Sequence, residues 1–156
     1  MKIETVRFEV ESLLAKHGLL EKGWRFKLAN GKRLMGECIY GRNEIRISRW
    51  LITMGTDEEI LDTLRHEVAH AVVGPGHHHG LKWKLVARQL GAKPEACVSE
   101  VSYTVPHKYE VLCGCCHKVV QKRHRRANMA KMHRRYHRSC GRSSIGTLYQ
   151  KVAGVS

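Results

Sequence analysis

His66 and His70, four residues apart with Glu67 beside the first, constrain this chain more tightly than any other feature. On an α-helix, side chains at i and i+4 lie about 40° apart around the axis, so both imidazoles can reach one ion. Zinc accepts such nitrogens at roughly 2.0–2.1 Å and, with a fourth position open, can hold a water. Glu67, offset around the helix, is placed to take that water's proton and not to bind metal. The pattern H-E-x-x-H therefore asks for a helix, a metal and one more protein ligand.

The flanking residues supply the helix. Thr56-Asp57-Glu58-Glu59 is a capping box, with a Thr N-cap and a Glu three residues on. Ile60, Leu61, Leu64, Val68 and Val72 recur at helical spacing as a buried stripe, and Gly74-Pro75-Gly76 ends the run. Earlier, Val6, Val10, Leu13 and Leu14 give one apolar face to a packing helix over 4–17, stopped by Gly18. From Trp24 the texture changes. Residues 24–28 alternate, Asn30-Gly31 signals a hairpin turn, and 33–40 and 44–47 read as two further strands around Gly41-Arg42-Asn43. Three short antiparallel strands are expected, with Gly36 marking a bulge or close packing. Ser48 is expected to cap a short helix over 50–52, and Cys38 to be a small buried apolar residue.

Catalytic zinc usually takes three protein ligands. His77, His78 and His79 follow the metal helix and are the candidates for the third. A helix over 81–90 comes next, with Leu81, Leu85 and Val86 as its apolar face and Gly91 as its stop. The metzincin spacing wants Gly three residues and His six residues after the second ligand, where this chain has Val73 and Gly76. No downstream helix offers a glutamate ligand of the thermolysin type.

The formal charge of +14 is unevenly placed. From His107 onward twelve Lys/Arg face one acid, Glu110, whereas residues 1–106 hold sixteen basic and thirteen acidic residues. The C-terminal third therefore expects a polyanion partner, most simply nucleic acid. No run approaches eighteen apolar residues, so no membrane span is expected. The N-terminal residues lead into an amphipathic and not a signal-peptide pattern, so a cytoplasmic (or nucleoid-associated) protein is expected. There the six cysteines suit metal ligation or buried thiols before disulfides.

Taken together, Trp24, Gly36-Glu37-Cys38, Ile45-Arg46-Ile47-Ser48, Leu51, His66-Glu67-Val68-Ala69-His70-Ala71 and His79-Gly80-Leu81-Lys82-Trp83 resemble the SprT-like (Spartan-type) family. The resemblance spans most of residues 20–90. It implies an α+β, zincin-like core over 1–106, built from an N-terminal helix, a small three-stranded antiparallel sheet and the H-E-x-x-H helix. It also implies that the histidine preceding Gly, His79, completes a zinc site with His66 and His70.

Many relatives end in a zinc ribbon. Here Cys113-Gly114-Cys115-Cys116 gives one knuckle and His137-Arg138-Ser139-Cys140 a second. Cys113, Cys116, His137 and Cys140 are chosen as a closed, structural zinc site in a module over 107–156, with Cys115 or His133 as substitutes. A segment so short and basic has too few apolar residues to fold alone, so metal would supply the missing stability. Between the knuckles, Lys122, Arg123, Arg125, Arg126, Lys131, Arg134 and Arg135 are expected to follow a phosphate backbone without reading sequence. The resemblance implies a zinc endopeptidase, with Glu67 as general base, acting on DNA-bound or DNA-crosslinked protein. The alternatives are a nucleic-acid-binding zinc protein without significant peptidase activity, and a metal-dependent hydrolase of non-peptide substrates.

Overall fold

A computed structural model describes residues 1–32, 34–95 and 102–154. The chain divides into two compact units, Met1–Thr104 and Val105–Ser156, each α+β. In the first unit, α1 (Ile3–Lys16) is followed by β1 (Arg25–Ala29), β2 (Gly36–Ile39), a 3-10 turn (Tyr40–Arg42) and β3 (Glu44–Ser48). Three helices complete it: α2 (Arg49–Met54), α3 (Asp57–Val73) and α4 (Leu81–Leu90).

The sheet corrects the expectation of three antiparallel strands. Its order is β1-β3-β2, with β1 parallel and β2 antiparallel to β3. Asn30-Gly31 forms no β1–β2 hairpin. The segment after β1 instead crosses the end of β3, where Ser48 N–H donates to the Met35 carbonyl (2.7 Å) and Ser48 Oγ to the Gly31 carbonyl (3.0 Å). β3 takes the centre because both its faces are satisfied. Ile45 and Ile47 are fully buried on one, each worth about 1.5–3 kcal/mol. On the other, Glu44 accepts from Arg46 (2.6 Å) within β3 and pairs with Lys27 on β1 (3.1 Å). The Arg46 hydrogen bond, ahead of the Lys27 one, holds the Glu44 carboxyl below its usual range. The expected strand over 33–40 is confined to Gly36–Ile39, and Arg33 lies outside the described residues.

α1 buries Val6, Val10 and Leu14, with Leu13 partly buried against the same core. α2 is capped by Ser48, whose Oγ accepts from Trp50 N–H at 3.2 Å. α3 runs through the middle, against α1, β2, β3, α2 and α4. Its N-terminus carries the capping box: Thr56 Oγ1 accepts from Glu59 N–H (3.2 Å), and Glu59 accepts from Thr56 N–H (2.7 Å). Ile60, Leu64 and Val68 are fully buried in the core, while Leu61 and Val72 are only partly covered. In α4 the expected apolar face is corrected. Trp83 and Ala87 are fully buried against α3, whereas Leu81 and Leu85 are exposed and Val86 is half-buried. A wide indole placed two residues after Leu81 wins the α3-facing side because it removes more apolar area from water.

The second unit holds β4 (Tyr109–Leu112), β5 (Val119–Arg123), α5 (Met129–Met132), a kinked 3-10 segment (Arg138–Ser144) and β6 (Tyr149–Val152). Its strands form an antiparallel sheet in the order β5-β4-β6. The core is small: Val111, Cys113, Met132 and Leu148. Among the described residues no helix is long and apolar enough to cross a membrane.

Candidate metal centre

α3 carries His66 and His70 one turn apart, and the loop before α4 brings His79 to them. His79 Nε2 lies 3.1 Å from His66 Nε2 and 3.0 Å from His70 Nε2. Tetrahedral zinc at 2.0–2.1 Å separates nitrogen ligands by about 3.3 Å, so the donor set fits that ion. His77 and His78 do not join this group; His77 Nε2 instead faces Lys82 Nζ at 3.4 Å.

The three rings share a floor. The fully buried Trp83 lies 4.6 Å from His66, 5.2 Å from His70, on which it stacks, and 4.6 Å from His79, centroid to centroid. The aromatic four residues after His79 was visible in the sequence, but its role as a common support was not. Tyr40 fixes the end of the helix by donating its hydroxyl to the His70 and Gly74 carbonyls (3.1 and 3.2 Å). Burial, then the neighbouring His79, brings His66 down to about 4. Burial, then His66, His79 and His78, does the same for His70. His79 is lowered as well, chiefly by burial. All three shifts favour the neutral imidazole, the form that binds metal.

Glu67 projects from the same helix but is buried, and it is not part of the imidazole group. Burial, reinforced by the Glu37 carboxylate, raises its carboxyl to about 8, against a hydrogen bond from the Cys38 N–H. A side-chain carboxylate kept out of water beside three neutral imidazoles is suited to hold and return a proton. Cys38 packs, half-buried, against the core. Its thiol is pushed up to about 12 by burial first and by Glu67 second, while a hydrogen bond to Tyr40 opposes the shift.

The second unit assembles another donor group. Cys113 and Cys140 thiols are 3.9 Å apart, and His137 Nδ1 lies 3.3 Å from Cys116 Sγ and 3.4 Å from Cys140 Sγ. Zinc with Zn–S near 2.3 Å spaces such ligands by about 3.6–3.8 Å, so this Cys3His set also fits. Burial alone would raise the Cys113 thiol, but the Cys116 and Cys115 N–H groups bring it down to about 6. Such a thiolate is ready for metal. Cys115 and His133 stay outside the group; the exposed Cys115 thiol lies near Thr147 Oγ1 (3.8 Å). Gly114 lets the knuckle approach the lead-in to β6, since a Cβ there would meet the Thr147 carbonyl oxygen at 2.7 Å. The buried Ser144 accepts from His137 N–H (2.9 Å), a support that no local motif advertises.

The cations between the knuckles are spread over several elements. Lys122 and Arg123 lie on β5, Arg125 and Arg126 follow it, Lys131 is on α5, and Arg134 and Arg135 come next. All are exposed except Arg123, which is half-buried and bonded to Gln121 (3.2 Å). Glu110, the one acid after residue 107, is held by His107 (3.0 Å) and Lys151 (3.9 Å).

Helix-borne His66 and His70, a loop histidine and a buried glutamate define a metallopeptidase-like centre. A model described as the SprT-like family matches residues 8–107, and the chain belongs to that family, whose domain is metallopeptidase-like. No curated protein and no solved structure matches the chain.

Proposed function

We propose that the chain is a zinc-dependent endopeptidase, with a zincin-like core over 1–106 and a zinc-ribbon module over 107–156 that binds DNA. One observation carries the reading: His79 Nε2 lies 3.1 and 3.0 Å from the Nε2 atoms of His66 and His70, beside a buried glutamate from the helix that carries those two. His66, His70 and His79 would hold the catalytic ion, and Cys113, Cys116, His137 and Cys140 a structural one. When bound, zinc lowers the pKa of a water, polarises a carbonyl and adds positive charge to the site. Glu67 accepts a proton on its carboxylate and returns it to the leaving amine, acting as base and then acid. Trp83 holds the three rings in place and covers one side of them from water.

The exposed cations of the second unit support DNA as the partner that gathers enzyme and substrate. Protein bound or crosslinked to DNA is then the substrate class, and the contacts are to phosphate, independent of sequence. Cleavage of a DNA-bound protein by the zinc-loaded chain should rise on adding DNA. Glu67→Gln should lower it by about 10²–10⁴-fold with zinc retained. If the glutamine variant cleaves as well as the parent, the peptidase reading fails. If about six phosphates are contacted, the logarithm of DNA affinity should fall against the logarithm of salt with a slope of about −5. A flat slope would remove DNA from the proposal.

A further inference from the structure

Strand β2 meets the metal helix at Glu67. A Cβ built on Gly36 would lie 2.7 Å from Glu67 Cγ, 2.8 Å from Glu67 Oε1 and 2.7 Å from Thr63 Cγ2. Real Cβ atoms do not approach other atoms so closely, so any side chain at 36 displaces the glutamate, the threonine or the strand. Two residues on, the Cys38 N–H faces the Glu67 carboxyl and favours its ionised form against the effect of burial. A main-chain donor facing a buried carboxyl helps to fix the direction of its oxygens, and bound zinc would favour the ionised form, which makes such a contact charge-assisted. Gly36 and Cys38 belong to one short strand whose register is pinned by β3, with Gly36 opposite Ile47 and Cys38 opposite Ile45. Ile45 and Ile47 are fully buried, so a slip of β2 against β3 would move both contacts together.

We infer that β2 is the positioning element of the general base: Gly36 aims the Glu67 side chain by leaving room for it, and the Cys38 N–H holds its carboxylate. The inference rests on Glu67 being the base of the proposed peptidase. It adds that Gly36 is a positioning residue and not simply a small residue in a crowded place. The two contacts of Gly36 separate these roles, since Thr63 is pure packing and Glu67 is chemistry. Thr63 Oγ1 is already committed to the Glu59 carbonyl at 2.8 Å, so its Cγ2 is the part that a Cβ would strike.

Gly36→Ala in the full zinc-loaded chain should leave zinc content and KM near the parent's and lower kcat by about 100-fold, the effect of roughly 1 Å misplacement. It should also lower thermal stability. The double variant Gly36→Ala/Thr63→Ser removes the methyl that clashes with packing, and should recover stability without recovering kcat. Recovery of both together would show that Gly36 serves packing alone and would overturn the inference. An activity-independent reading comes from the Cys38 amide proton in the zinc-loaded parent, where the ion's charge favours the ionised carboxylate. It should resonate downfield, and move upfield in Glu67→Gln as the acceptor loses its charge. An amide that does not move in Glu67→Gln overturns the inference, whether or not Gly36→Ala folds. A parent that binds zinc but cleaves nothing would instead count against the peptidase reading, and the amide measurement would still judge the contact.

Discussion

The identity of the third imidazole is a single-side-chain question with a geometric answer. Three consecutive histidines leave the loop, and their spacing to His70 does not choose among them. In the fold it is His79, and not His77 or His78, that joins the two helix histidines, with Trp83 packed against all three rings. His79→Ala should therefore lower zinc by one ion per chain, while His77→Ala and His78→Ala leave zinc unchanged. Metal analysis of the purified variants decides it. Retention of full zinc by His79→Ala would place the ligand elsewhere. The H-E-x-x-H pair was legible from the sequence because both histidines lie about one helical turn apart. Gly36 was legible only as a bulge or close approach, since the atoms it makes room for are about thirty positions away.

Among the elements, α3 has the most to hold in place, and its two ends are secured differently. The N-terminal box was readable from Thr56 and Glu59, three positions apart. What the box also grips was not readable: Glu59 accepts from Ser102 N–H (2.7 Å) and Ser102 Oγ (2.6 Å). The Ser102 hydroxyl bond first, with the main-chain donors of Thr56 and Ser102, brings the Glu59 carboxyl from 4.5 to about 2. Because the folded-state pKa is depressed, its stabilising contribution is complete above the ordinary 4.5 and is lost as pH falls towards 2. Urea midpoints of parent and Glu59→Gln should differ most above pH 4.5 and converge as the pH approaches 2. A constant gap across that window would contradict the assignment. At the far end, the Tyr40 hydroxyl accepts the task that a capping residue would perform, satisfying the His70 and Gly74 carbonyls from another element.

For the molecule as a whole, the two units differ in what keeps them folded. The first buries a continuous core that includes Val6, Leu14, Ile45, Leu51, Ile60 and Leu64; Leu64→Ala would cost about 2–5 kcal/mol there. Among the described residues the second has a small buried cluster, Val111, Cys113, Met132 and Leu148, too little apolar area to offset the chain entropy of some fifty ordered residues. Its fold should follow its metal. Chelation, or Cys113→Ser with Cys116→Ser, should abolish the amide dispersion of the second unit while leaving that of the first. Should the double variant retain native shifts throughout 105–154, metal would not be what holds this unit. DNA affinity measured on the same variant should fall with the fold that displays the cations.

Several features were encoded within a few consecutive residues: the i, i+4 histidines, the capping box, the Ser48 cap, the paired knuckles and the basic run between them. The histidine pair and the two caps depend on helix geometry and each knuckle on a tight turn, so local spacing reveals them, and the basic run is a matter of composition. The mixed order of the first sheet, the burial of Trp83 in preference to Leu81 and Leu85, and the β2 contact on Glu67 were not encoded that way. They follow from competition among distant segments for one core. Burial energy depends on which surfaces meet, and no local pattern records that.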